Sequence, residues 1–449
     1  MMWPRQFLED LFSLFNEKKQ EVVLMRSYDW LAGKAEGDID LLVRLDMRVS
    51  VIESVEEFAN REKWQIVYKD KDANHTHIVL FQGDESAIRS VHLDVQHYLG
   101  RKGFYYSSIE QVTHCTRKEN HIRIQDGVDE IYALLLHVLL DKDKVKPFYR
   151  DVITKFNSGD LERKLEKELG KNQARAIVQW KEAGLPDSDL EPLKKKLRLR
   201  LKGRYLRNRL VPRLHKVRRV SRYLTSSKGV LIAALGPDGS GKSTVVEGIE
   251  QTLSLGAYPI QVVYMGKRDT FLPTSHLIRW YFKRKKMKKG NRSSEPEIHD
   301  LPVENKKNSF SSKIIEILGL TNWFLEQWAR YLVEIRPVLA QGGVVLCDRF
   351  IYDLADRNRG SVVYSKLFLK FLVTFFPVPN STYFFWESPE VLYERKKENT
   401  IARNEFLIEN YRAILSQIPN SAEVRTNIPP ENIINKVSIE VANKMASRW

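Results

Sequence analysis

The rhythm of apolar positions divides the chain into three stretches. In the first 145 residues, Arg5–Lys18 reads as a helix and Val128–Leu140 has the apolar spacing of a buried one. Between them lie short strand-like runs: Glu21–Met25, Ile39–Val43, Trp64–Tyr68, His77–Phe81 and Val91–His97. A hairpin is predicted across Val112–Ile124, turning at Lys118–Asn120. From Lys146 to Tyr223 the pattern is helical and increasingly charged, with breaks predicted at Gly184, Pro186 and Pro192. The last stretch alternates. Val230–Leu235, Gln261–Met265, Val344–Leu346, Tyr383–Trp386 and Glu423–Thr426 read as strands, with helical segments between them. Such alternation predicts an α/β fold, a parallel sheet with helices on both faces. The expected division is a mixed α/β domain over 1–145, a helical basic connector over 146–227, and an α/β domain over 228–449.

Composition adds exclusions. A length of 449 residues suits two or three domains at ~100–200 residues each. The longest apolar runs, Ile131–Leu140 and Leu367–Phe376, fall short of the ~20 residues a membrane span needs. Glu9 and Asp10 sit where a signal peptide would carry its apolar core. Cys115 and Cys347 are too few for a disulfide scaffold and suit a reducing, cytoplasmic compartment.

Charge changes the picture in one place. The net charge is +16, and fourteen Lys or Arg fall between Lys194 and Arg222, where there is no Asp or Glu. Leu197, Leu201, Leu206, Leu210, Leu214 and Val217 are interleaved at near-helical spacing, interrupted by Gly203 and Pro212. Three readings stay open: a linker helix packing its leucines on a domain, a basic amphipathic helix lying on the anionic inner face of a membrane, or an electrostatic nucleic-acid contact. With only Tyr205 and Tyr223 as aromatics, base stacking is the weakest of these.

The strongest chemical signal is Gly236-Pro237-Asp238-Gly239-Ser240-Gly241-Lys242-Ser243-Thr244, which fits G-x-x-x-x-G-K-[ST]. It follows a predicted strand and opens a predicted helix, Ser243–Leu253. Glycines let successive backbone N–H groups form an anion nest, and the helix N-terminus adds a positive dipole end. Lys242 supplies a point charge to the β- and γ-phosphates, and the Ser243 hydroxyl can ligate Mg²⁺. The cofactors implied are ATP and Mg²⁺.

With Asp238 inside it, this loop resembles that of the thymidylate kinase group of P-loop kinases. The likeness continues through Arg336–Gly343, Val344–Phe350 with its Asp348-Arg349 pair, Ser388-Pro389-Glu390, Arg395, Lys397 and Arg403-Asn404-Glu405, then Tyr411-Arg412, Ile418-Pro419 and Pro429–Ile434. The resemblance implies that Asp348 ends a central strand near Mg²⁺ and the acceptor. It implies that Arg349 clamps an acceptor phosphate and that Arg395, Lys397 and Arg403 form a lid over the phosphates. Where that family shapes its thymidine site, this chain has Asp353 and Asp356, and it carries a long basic insert, Gly266–Lys313. These departures predict an acceptor other than dTMP, and resemble kinase-like proteins found with bacterial surface-polysaccharide genes.

The N-terminal stretch offers a second pattern. Asp38 and Asp40 stand at i and i+2 on a predicted strand, so they share a face. Asp94 lies between apolar residues on another strand. Three carboxylates from adjacent strands would make a hard-oxygen Mg²⁺ site. This resembles the nucleotidyltransferase superfamily, with Ser27 eleven positions before Asp38 and Arg26 in place of that family's glycine. His75, His77 and His92 match no recognised zinc spacing and read as core or surface histidines.

Two functions fit these signals. One is an ATP-dependent kinase of a small phosphorylated or hydroxylated acceptor joined to a nucleotidyltransferase-like domain. The other is an ATP-switched regulatory protein whose N-terminal domain binds or modifies a macromolecule such as tRNA. The oligomeric state is not legible.

Overall fold

The computed structural model describes residues 3–35, 37–71, 75–84, 87–101, 104–157, 159–225, 228–254, 258–266, 321–353 and 374–449. The basic insert from 267 to 313, Leu354–Arg357 and most of the run Leu367–Phe376 lie outside the described residues. The chain forms two compact units: Met1–Gln82 with Arg89–Ser221 and Trp449, and Gly83–Ile88 with Arg222–Arg448.

In the first unit, β1 (Val22–Met25), β2 (Ile39–Val43), β3 (Gln65–Lys71), β4 (His75–Gly83), β5 (Ile88–Gln96), β8 (Thr116–Glu119) and β9 (Ile122–Gln125) form one sheet in the order β3-β4-β5-β2-β1-β9-β8. The hairpin β6 (Tyr98–Arg101) and β7 (Phe104–Ser108) stands apart from it. Side chains alternate across a strand. Val22, Leu24, Ile39, Leu41, Val43, Ile78, Leu80, Val91, Leu93 and Val95 therefore share one core with α1 (Trp3–Glu17), Trp30 of α2 (Tyr28–Leu31) and α3 (Arg48–Arg61). The intervening positions, among them Asp40, His77, His92 and Asp94, fall on the opposite face. Parallel pairing of β2 with β5 sets Asp40 beside Asp94.

That second face is covered in part by α4 (Gly127–Asp141). Leu135 and Leu139 of α4 share a core with Val23, Met25 and Leu42 of the sheet. The same core takes Ile153 of α5 (Pro147–Lys155), Leu165 of α6 (Gly159–Leu169), Trp180 of α7 (Lys171–Glu182), and Leu197 and Leu201 of α8 (Asp187–Arg204). The helical stretch read as a connector thus packs into the first unit as far as Asn208, which is buried and bonds both main-chain groups of Tyr105. Two expected breaks are corrected: Pro192 lies inside α8 and Pro212 inside α9 (Arg207–Thr225). Both stand in a second turn, where each removes a ladder bond and crowds the carbonyl four residues back, and both helices continue past them. The helix ends instead at Tyr205, in extended backbone.

In the second unit, β10 (Val230–Leu235), β11 (Ile260–Tyr264), β12 (Val344–Asp348), β13 (Ser381–Trp386) and β14 (Ser421–Arg425) pair in parallel in the order β11-β12-β10-β13-β14. One face packs Leu231, Ala233, Val345 and Phe384 against Leu407 and Tyr411 of α13 (Ile401–Leu415) and Leu339 of α11 (Arg336–Ala340). On the other, Ile232, Ala234, Leu346 and Phe385 meet Val246 and Ile249 of α10 (Lys242–Ser254). A π-turn, Tyr331–Ile335, leads into α11. Two further helices complete the unit, α12 (Pro389–Arg395) and α14 (Pro430–Ala446). No helix among the described residues is long and apolar enough to cross a membrane.

Candidate functional site

In an open parallel sheet, ligands bind beyond the C-terminal strand ends. The glycine-rich segment 236–244 lies there, between β10 and α10. Gly236, Gly239 and Gly241 have φ of 145°, 84° and 78°. At Gly236 the constraint is also spatial: a Cβ would stand 2.1 Å from the Phe385 carbonyl oxygen of β13. Ser240 is fully buried, whereas Ser243 and Thr244 are exposed on the first turn of α10.

Lys242 is buried, and its ammonium donates to the Pro237 carbonyl at 2.7 Å and reaches Ser240 Oγ at 3.5 Å. Burial and the nearby Arg349 push its pKa down to about 8, against the pull of Asp238, Asp353 and Asp348. A buried cation whose donors are spent on neutral oxygens is ready for a polyanion.

Asp348 closes β12 beside Ala234 of β10. Ser243 Oγ donates to its carboxylate at 2.9 Å. Arg349 follows in the left-handed region, φ 67°, its N–H donating to the Ala234 carbonyl at 3.0 Å. Its guanidinium bridges Asp238 and Asp353, each at 2.6 Å. Tyr411 of α13 donates to the other oxygen of Asp353. Burial opposes the charge on Arg349, but Asp353 and Asp238 outweigh it and hold the pKa above its ordinary value.

The lid residues are less convergent. The C-terminus of α12 lies on the loop, with Leu392 O 3.1 Å and Lys396 Cβ 3.3 Å from where a Gly239 Cβ would be. Arg395 turns to Thr426, donating to its hydroxyl and carbonyl at 3.2 and 3.1 Å. Arg403 takes the Thr400 hydroxyl as an N-cap and places its guanidinium 5.3 Å from the Phe406 ring. Lys397 is exposed. Lys242, Ser243, Asp348 and Arg349 are therefore brought together, while Arg395 and Arg403 have partners of their own. Sequence reading passed over Lys396, hidden in a run of alternating charge, and the hold of Tyr411 on Asp353, which no spacing reveals.

This chain is similar to a thymidylate kinase. A curated relative named "Probable thymidylate kinase 2", from Saccharolobus solfataricus, is 29% identical over 197 residues, 43% of this chain and 74% of the relative. No family model matches. Among solved structures, thymidylate kinase from Ehrlichia chaffeensis is 18% identical and covers 48% of this chain and 98% of its own, with a TM-score of 0.31 that bears no weight.

The first unit holds a separate polar cluster. Ser27 Oγ donates to the Met25 carbonyl at 3.1 Å and accepts the Asp40 N–H at 3.1 Å, tying the turn after β1 to β2. Arg26, at φ 58°, sets its guanidinium 3.2 Å from Asp40. Gln96 donates to Asp40 at 2.6 Å and to Asp94 at 2.9 Å. His92 Nδ1 lies 2.9 Å from Asp38. His75 and His77 both turn to Asp94, at 2.9 and 3.6 Å. Burial pushes the Asp40 carboxyl up to about 6, with Arg26 pulling it down. Burial disfavours charge on Asp94 as well, but His75, His77 and His92 outweigh it and hold that carboxyl well below the usual range.

The three carboxylates thus share one face, yet each already has nitrogen partners: His92 for Asp38, Arg26 and Gln96 for Asp40, His75 and Gln96 for Asp94. These surroundings differ from an all-oxygen Mg²⁺ site, which needs its carboxylates free for the ion. The structure brings His75 and His77 to Asp94, and His92 to Asp38. Their spacing says little until β4 and β5 lie in the same sheet.

Proposed function

We propose that the second unit transfers the γ-phosphoryl group of ATP to a small phosphorylated or hydroxylated acceptor. The observation that carries this is the meeting of Ser243 and Asp348 at 2.9 Å beside the buried Lys242. Ser243 and Asp348 are the residues that would hold Mg²⁺, whose charge offsets that of the β- and γ-phosphates. Lys242 and the amides of 236–243 bind the triphosphate tail, and the α12 end with Lys396 covers it. Similarity to a relative named as a thymidylate kinase supports a nucleotide kinase. The full chain with Mg²⁺-ATP and a panel of nucleoside monophosphates and phosphosugars is expected to release ADP with one acceptor class. ATP binding with no acceptor-stimulated release would favour the regulatory reading instead.

The acceptor we favour is not dTMP. Asp353 stands where the resemblance places thymidine-site residues, and it competes with any acceptor phosphate for Arg349. Asp353→Asn is expected to lower the KM for a phosphorylated acceptor roughly tenfold, about what one charged hydrogen-bond partner is worth. An unchanged KM would remove that competition. dTMP turnover above that of every other acceptor would refute the substrate reading.

The α9 helix supports a peripheral membrane role, favoured by one observation: Leu210, Leu214, Val217, Val220 and Leu224 form an exposed stripe at helical spacing. Exposed Arg209, Arg213, Lys216 and Arg218 accompany it and match an anionic headgroup surface. The full chain is expected to sediment with phosphatidylglycerol vesicles and to be released by salt. Failure to do so, or stronger binding to RNA than to vesicles, would refute this role.

A further inference from the structure

The first unit carries a second candidate ion site of different chemistry, independent of the phosphotransferase reading. His75 and His77, two apart on β4, present their rings on one face, stacked 5.6 Å apart. From β5, Asp94 comes to meet them. His75 Nδ1 lies 2.9 and 3.0 Å from the two Asp94 oxygens, and His77 Nδ1 lies 3.6 Å from one of them. The three ligating atoms all fall within 4.8 Å of one another, among the described residues the one set of three His, Cys, Asp or Glu so placed.

Two observations say what belongs among them. First, His75 Nε2 is 2.6 Å from the Gly100 carbonyl, which can only accept. Nε2 therefore carries the hydrogen, and in the neutral ring Nδ1 turns a lone pair toward an anionic carboxylate. Second, His77 Nδ1 is buried and has no hydrogen-bond partner, though it faces the same carboxylate. Protonated, these imidazoles hold Asp94 ionised; with His75 neutral, its Nδ1 lone pair, the unpartnered His77 Nδ1 and the carboxylate converge on one point as the donor set of a cation.

We propose that His75 Nδ1, His77 Nδ1 and the Asp94 carboxylate bind one divalent transition-metal ion of the zinc class. Tetrahedral ligands at the ~2.0–2.1 Å bond lengths of zinc stand about 3.3 Å apart, and the separations of 2.9 and 3.6 Å bracket that figure. Two imidazoles and one carboxylate select zinc, cobalt, iron or manganese over magnesium. The outer contacts are those such a site requires: the Gly100 carbonyl fixes the His75 tautomer, and Gln96 donates to Asp94 Oδ2 at 2.9 Å. Three protein ligands leave a fourth position open, on the sheet face that also bears Asp38 and Asp40.

The test uses the full chain without an affinity tag, stripped with chelator and titrated with Co²⁺. One Co²⁺ per chain is expected, with the intense visible absorption of four-coordinate cobalt, displaced by Zn²⁺ and not by excess Mg²⁺. His77→Ala, at a half-exposed position, is expected to weaken Co²⁺ binding at least ~100-fold while circular dichroism stays unchanged. Lys242→Ala, which lies in the other unit, should leave it intact. Absence of the cobalt band, or a band unaffected by His77→Ala, would overturn the proposal. The cluster would then be an imidazolium–carboxylate pair between His75 and Asp94.

Discussion

Replacing Lys242 by Met is expected to lower kcat roughly 10²–10³-fold, the loss typical when one group aimed at developing charge is removed, while leaving the fold at least as stable. Catalysis and stability part here because of where the ammonium sits. It is buried and bonded only to a carbonyl and a hydroxyl. Its pKa of about 8, against an ordinary 10.5, means the charged form costs about 3 kcal/mol in the folded free protein at neutral pH. Methionine keeps the stem and removes that cost.

The pH dependence follows from the same shift. Between pH 8 and 10.5 the folded chain binds fewer protons at Lys242 than the unfolded chain, so wild-type stability rises with pH across that window. In the Met variant this rise should vanish. ATP affinity moves the other way. Above about pH 8 the free lysine is neutral and must take up a proton to meet the triphosphate, so affinity should fall by up to about tenfold per pH unit. Calorimetric melts and nucleotide titrations from pH 7 to 10 check both. A variant that loses stability while retaining turnover would give Lys242 a structural role only.

Gly236→Ala is expected to be the most damaging single-methyl change in the second unit. Its φ of 145° is strained for any L side chain, and the new Cβ would stand 2.1 Å from a main-chain oxygen of β13. Backbone on both sides means that either the loop or the central sheet must shift. A loss beyond ~4 kcal/mol follows, which for a unit of this size lowers Tm by roughly 10 °C. Gly241→Ala is the control. It too has positive φ, 78°, but no atom lies within 4 Å of its Cβ position, so only the left-handed cost of about 1–2 kcal/mol applies. Equal Tm shifts in the two variants would show that the loop does not press against β13.

Much of the second unit is legible in the chain because its central strands are buried on both faces. Val230–Leu235 is apolar at every position and coincides with β10. The glycine-rich segment 236–244 is equally visible, since its glycines and lysine are nearly contiguous. What stays hidden depends on distance. Arg349 finds Asp238 across 111 positions, and Tyr411 finds Asp353 across 58. In the first unit, the shared face of Asp38 and Asp40 follows from a period of two. The arrival of His75 and His77 at Asp94 depends on the strand order β4-β5-β2, which no local pattern encodes. The hairpin β6–β7 is short and mixes polar with apolar residues, whereas helix α3 was legible in the spacing of Val51, Val55, Phe58 and Ala59 and was passed over. The prolines misled for the opposite reason: a strong local signal fell in helices that continue past it.

The 236–243 amides and Lys242 are expected to grip a triphosphate. Isothermal titration of the full chain with ATP in the presence of Mg²⁺ tests it most directly. One ATP per chain is predicted, with binding lost in Lys242→Met. If the wild-type chain takes up no nucleoside triphosphate, or the variant binds ATP as tightly as the wild type, the account of this site is wrong.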